Sequence, residues 1–206
     1  MASIPEYAQL TNRVYNRTRE NRTPVPIGWT ELRWIPDQLS GFSAGVYMKG
    51  DEIVIAFTGT NEAKVADFLL ANVPIGLGLP SAQVTEAMLL YLQVKEQYPT
   101  AAINFTGHSL GGGLASVMAV FFDKNATVFD AAPFELGARN LATLGLYQLE
   151  LLRRGYSDAD FNAYTGSIDF AEFNRREANV SGFSVEGEAL GFIRSGLTVI
   201  QGSELV

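Results

Sequence analysis

Residues 107–111 read Gly-His-Ser-Leu-Gly, a spacing that can do chemistry where a strand runs straight into a helix. A serine held on such a turn presents its hydroxyl to an incoming carbonyl carbon. Side chains at the flanking positions would collide there, so Gly107 and Gly111 are the residues that leave room for it. The context fits. Ala102–Thr106 is apolar enough to be a short strand, and Leu110–Phe121 is a helix-forming run crowded with small residues. The helix N-terminus would aim its dipole and unpaired N–H groups at an oxyanion forming beside Ser109. A bare Gly-x-Ser-x-Gly also arises by chance in a chain with 20 glycines. The strand before it and the helix after it favour the nucleophile reading.

The elements that must position this serine are legible on either side. Ile53-Val54-Ile55-Ala56-Phe57 is continuously apolar, as a strand buried on both faces is. It forms the second arm of a hairpin whose first arm is Phe42–Met48, with the turn at Lys49-Gly50-Asp51. Thr58-Gly59-Thr60-Asn61 ends that strand and can cap a helix over about residues 62–72. Tyr7, Leu10, Val14 and Tyr15 recur at helical spacing and predict a helix that covers the sheet. Gly28 to Ile35 reads as extended, and Ser81 to Gln97 as a helix with Val84, Met88, Tyr91 and Val94 on its apolar stripe. Ala126–Phe129 is a strand, Phe134–Arg154 a long helix, residues 155–178 polar and irregular, Asn179–Val185 a strand, and Ala189–Arg194 a short helix. Strands that alternate with helices predict an α/β fold, a mostly parallel sheet with helices on both faces, in one domain over residues 1–206.

The elbow residues Gly107-His108-Ser109-Leu110-Gly111-Gly112 resemble those of the class 3 lipases, an α/β-hydrolase family. Ile53–Thr60 resembles that family's oxyanion strand, which ends in Phe-x-Gly-Thr or -Ser ahead of the nucleophile, and the order is kept here. The resemblance covers about residues 42–135 well and the remainder loosely. It implies Ser109 as nucleophile of a lipase or phospholipase, with Thr60 giving a backbone N–H and its hydroxyl to the oxyanion hole and Leu110 giving a second N–H. It also maps a lid onto residues 61–80. Val73-Pro74-Ile75-Gly76-Leu77-Gly78-Leu79-Pro80 is apolar and punctuated, and it suits either a surface that opens onto lipid or a buried irregular loop. The substrate implied is a lipid or other ester, with transient contact at a membrane surface.

The family's triad does not close within the sequence. A serine hydroxyl needs a base, and the chain has a single histidine, His108, immediately before the nucleophile. In the family pattern that position is a packed or hydrogen-bonded histidine behind the elbow, not the base. The family's chain order is serine, acid, histidine. For the acid, Glu188 is the candidate, with Glu186 beside it and Asp130 as rival. Each also reads as a structural residue, the glutamates at a helix N-terminus and the aspartate as a cap. Thr198–Val206 carries neither a helix stop nor a polar tail. The expectation is therefore a hydrolase core truncated at its C-terminus and inactive as it stands, its histidine supplied by a missing C-terminal segment or a second chain. The alternative is a pseudoenzyme or scaffold that keeps a non-catalytic elbow.

Composition narrows the partners. A net charge of −7 argues against nucleic acid, which needs clustered Lys and Arg. With no cysteine and one histidine, neither a disulfide nor a metal site is expected, and no cofactor is implied. Met1-Ala-Ser-Ile-Pro-Glu-Tyr lacks the basic and apolar regions of a Sec signal, and no apolar run is long enough to span a bilayer. The expectation is a soluble chain, exported, if at all, by a route that uses no Sec signal.

Overall fold

A computed structural model describes residues 1–15, 23–36, 38–59, 81–133, 141–156, 170–184 and 204–205. The elements in chain order are α1 (Ile4–Tyr15), β1 (Thr30–Ile35), β2 (Ala44–Lys49), β3 (Glu52–Phe57), α2 (Ser81–Gln97), β4 (Ala102–His108), α3 (Leu110–Phe122), β5 (Ala126–Phe129), α4 (Leu141–Arg153), α5 (Phe170–Glu177), β6 (Val180–Ser184) and β7 (Glu204–Leu205). The strands form one seven-stranded sheet in sequence order. β1, β2 and β3 pair antiparallel, and β3 through β7 run parallel. This is the mostly parallel α/β arrangement that the alternation of strands and helices predicts.

β2 and β3 meet in full register from Ala44↔Phe57 to Lys49↔Glu52, so the turn is Gly50 and Asp51 alone. Gly50 has φ +58, which glycine adopts without the cost a side chain would add. β3 is wholly buried, and its side chains alternate between two cores. Ile53, Ile55 and Phe57 join Val84, Met88 and Tyr91 of α2 and Leu114 and Met118 of α3. Val54 and Ala56 face the other way, against Tyr7, Leu10 and Val14 of α1. Helices thus cover both faces. α3 is buried from Gly111 to Phe121, as expected for a helix apolar on every side.

Two charged clusters hold the helix ends. At the start of α1, Glu6 accepts hydrogen bonds from Ser3 N, Trp29 Nε1 and Lys49 Nζ at 2.8, 2.9 and 2.6 Å. The Lys49 contact foremost, with the Ser3 and Trp29 bonds, pulls the Glu6 pKa down to about 2. A carboxylate depressed in the fold stabilises it above its unfolded pKa, and that contribution disappears as pH falls through the folded value. Glu6→Gln is therefore expected to lower the urea midpoint at neutral pH and to remove a step in stability between about pH 4.5 and 2; the check is a series of urea melts across that range. At the far end of α3, buried Arg176 donates to the Val120 and Phe121 carbonyls, both at 3.1 Å, and Arg175 grips Asp123.

The structure adds two features to the sequence expectation. β4 continues two residues past Thr106, because Gly107 and His108 still pair with Val128 and Phe129 of β5. Within the stretch expected to be irregular lies α5, whose eight residues Phe-Ala-Glu-Phe-Asn-Arg-Arg-Glu bury Phe173 and Arg176. A charged helix this short shows too little apolar periodicity to be recognised. The expected helices at 62–72 and 189–194, and residues 134–140 of the expected long helix, lie outside the described residues.

Candidate active site

The parallel strands β3, β4, β5 and β6 deliver their carboxyl ends to one edge of the sheet, where open α/β folds build their sites. Ser109 stands there, between the last residue of β4 and the first of α3. Its backbone has φ 55 and ψ −126. A residue with a side chain adopts such a conformation at a cost of about 1–3 kcal/mol, so the surroundings must enforce it. They do so through its own peptide groups. Ser109 N–H donates to the Phe129 carbonyl at 3.1 Å. The Ser109 carbonyl accepts from Gly113 N–H at 3.1 Å and from Ala132 N–H at 2.9 Å. The backbone is spent on the scaffold, while the hydroxyl makes no capping bond to the helix.

The flanking glycines are dictated by close approach rather than by positive φ. A Cβ on Gly107 would run into the Gly111 carbonyl and stand 2.8 Å from Gly112 N. A Cβ on Gly111 would run into the Phe57 carbonyl and stand 2.7 Å from the Thr58 carbonyl carbon. Gly112 lies against Ala131 in the same manner, its Cβ position 2.8 Å from the alanine methyl. These contacts draw α3 down onto the ends of β3 and β5. Gly113 is the first helical residue whose N–H reaches the carbonyl four positions back. The N–H groups of the turn before it, Leu110's among them, have no acceptor inside the helix and give Ser109 a positive field.

Thr60 lies just outside the described residues, but its neighbour Gly59 is placed. A Cβ on Gly59 would be 3.3 Å from Leu110 N and 3.2 Å from the His108 carbonyl oxygen. The chain that leads into Thr60 therefore passes beside the elbow. Glu186, Glu188 and residues 61–80 also lie outside the described residues.

His108 departs from the expectation of a histidine packed behind the elbow. Its side chain is 40% exposed, with Nε2 4.0 Å from Asp130 Oδ2. Its ring meets Tyr15 edge-on at 6.2 Å between centroids. The reason lies in the strand: β4 stays paired through His108, so the alternation of the pleat, not the turn, sets where this residue faces. Asp130 follows β5 with φ 44, is 3% exposed, and has its N–H on the Phe183 carbonyl at 2.8 Å. The structure thus brings Ser109, Leu110, His108 and Asp130 to one end of the sheet. It also brings Tyr15, which the sequence marks only as part of a covering helix. The Tyr15 hydroxyl donates to the His108 carbonyl at 2.9 Å and accepts from Gly59 N–H.

Known proteins place this geometry in a family. A family model described as "Phospholipase-like: Tle-like phospholipase domain" matches residues 6–205. An extracellular phospholipase A1 of Serratia liquefaciens is 38% identical over 96 residues, which is 47% of this chain and 29% of that protein. The match thus spans less than a third of that relative's length. Lipase II of Rhizopus niveus superposes with a TM-score of 0.54 at 13% identity, over 92% of this chain and 73% of that one, and shares the fold. With nearly its whole length matched, and an elbow at the carboxyl edge of a mostly parallel sheet, the chain belongs to the Tle-like phospholipase domain family of lipase-like α/β hydrolases.

Proposed function

We propose that this domain hydrolyses carboxylic esters of lipids through an acyl intermediate on Ser109. The observation that carries the reading is the strained backbone of Ser109, φ 55 at a strand-to-helix turn whose hydrogen bonds hold it there. Strain of that kind persists only where the fold enforces it, and it clusters at active sites. In the proposed reaction Ser109 Oγ attacks the ester carbonyl carbon as its proton passes to a base. The carbonyl oxygen becomes an oxyanion facing the N–H groups of Thr60 and Leu110, with the Thr60 hydroxyl as a further donor. Each donor is worth about 3–4 kcal/mol at the transition state. Collapse expels the alcohol, which takes the proton, and water then releases the acid from Ser109.

The base is proposed to be a histidine outside these 206 residues, from a further segment of the same chain or from a second chain. His108, one residue before the nucleophile, is the single histidine present, and its 4.0 Å approach is to Asp130. Glu188 is the proposed acid. Asp130 competes with it, favoured by its burial at the carboxyl end of β5.

The family and the phospholipase A1 activity of the Serratia relative support a phospholipid as substrate, and that relative's extracellular setting supports export. The reading is tested with phosphatidylcholine in mixed micelles and with a glyceride of the same acyl chains, using the product of the complete reading frame. Free fatty acid released several-fold faster from the phospholipid is the expected result. Preference for the glyceride overturns the substrate, and no release from either favours a binding protein that retains the elbow. Loss of activity in Asp130→Asn with Glu188→Gln retained would move the acid to β5.

A further inference from the structure

We infer that Tyr15 is a positioning residue for the oxyanion hole, holding the end of β3 at a fixed distance from the elbow; the inference rests on the Ser109 reading above. The two proposed donors come from different strands. Thr60 follows β3, and Leu110 follows β4. The ladder between those strands runs from Glu52↔Ala102 to Phe57↔Gly107 and there ends. Beyond it Thr58 turns away to β2, its N–H on the Ser43 carbonyl at 3.1 Å and its hydroxyl on the same oxygen at 3.2 Å. What spans the gap is the phenol of Tyr15. Its hydroxyl takes the Gly59 N–H, one residue before Thr60, and gives its own proton to the His108 carbonyl at 2.9 Å, one residue before Ser109.

The phenol can serve as a ruler because its own position is fixed. α1 packs on the sheet through Leu10 and Val14, and Thr11 Oγ1 lies 2.8 Å from Thr106 Oγ1 of β4. Arg13 of the last turn pairs with Glu31 at 2.9 Å and reaches the Thr23 carbonyl. Tyr15 itself rests edge-on against the His108 ring. The space around Gly59 is cut to fit the hydroxyl, since a Cβ there would lie 2.7 Å from it. Tyr15 is 37% exposed, so its hydrogen bonds add little to stability; what they fix is a distance. A displacement of about 1 Å between catalytic groups costs on the order of a hundredfold in rate.

The test needs a readout that requires no base. 4-Fluorophenylboronic acid adds to a serine hydroxyl: an O–B bond forms, boron becomes tetrahedral and anionic, and the proton leaves to water. The anionic adduct places an oxygen in the oxyanion hole, and 19F NMR gives its dissociation constant. Wild type should form the adduct and Ser109→Ala should not. Tyr15→Phe keeps the ring and removes both hydrogen bonds. It should weaken the adduct by about 10- to 100-fold with little change in Tm, and the Gly59 amide resonance should move upfield. Arg176→Ala removes the hydrogen bonds at the far end of α3, away from Tyr15; it should lower Tm and leave the adduct within about twofold of wild type. Wild-type affinity in Tyr15→Phe, or an unmoved Gly59 amide, overturns the inference. So does a loss in both variants that merely tracks Tm. An adduct absent from wild type, or retained in Ser109→Ala, instead overturns the Ser109 reading and the inference with it.

Discussion

Gly111→Ala is expected to lower the stability of the fold by about 3 kcal/mol or more. The new Cβ would meet the Phe57 carbonyl and the Thr58 carbonyl carbon, which are backbone atoms at the end of a fully buried strand. No rotamer can relieve such a contact. Either α3 rises off the sheet or β3 is pushed sideways, and both carry the Ser109 turn with them. Gly145 in α4 is the contrast. Nothing lies within 4 Å of a Cβ there, so Gly145→Ala should raise stability by about 0.5–1 kcal/mol through helix propensity. Urea midpoints of the two variants beside wild type decide it. Equal midpoints would mean that the close approach of α3 to β3 is not a requirement of the fold.

The second large effect is on catalysis. In the product of the complete reading frame, Ser109→Ala should reduce ester hydrolysis by about 10⁵- to 10⁶-fold, because nucleophile and base act as one unit. The 206-residue chain by itself should be slower than that product by a similar factor, about 10⁵-fold or more, for want of the base. His108→Gln should cost less than about tenfold, since the imidazole faces Asp130 and Tyr15 and its removal leaves the backbone carbonyl in place. Steady-state kinetics on a soluble p-nitrophenyl ester measures all three. A large loss in His108→Gln would make that residue the base and overturn the proposed source of the histidine.

The parts of this fold that a reader of the sequence can see are those set by local rules. An unbroken apolar run made β3 a doubly buried strand, and Gly50 marked the hairpin turn. Five residues around Ser109 marked the elbow, because the turn admits so few alternatives at Gly107 and Gly111. What stayed hidden depends on contacts between segments far apart in the chain. Nothing about a tyrosine at a helix end says that its hydroxyl will lie between Gly59 and His108. The positive φ of Asp130 is set by where β5 and β6 leave it, through its N–H on the Phe183 carbonyl. α5 escaped notice because its role is to bury one aromatic ring and one arginine, a pattern too short to repeat. Thr60 and Glu188 enter the proposed reaction through the resemblance, not through a contact legible in the sequence.

One measurement bears most directly on the central claim that Ser109 is a nucleophile whose base lies outside these residues. The complete reading-frame product and the 206-residue chain are each treated with a fluorophosphonate near neutral pH, and the labelled peptide is identified by mass spectrometry over time. The expected result is rapid modification of the complete product on Ser109 alone. The 206-residue chain should label at the same serine far more slowly, at a rate that climbs with pH as hydroxide substitutes for the base. Modification of another serine, or labelling of the 206-residue chain as fast as the complete product, would contradict the account.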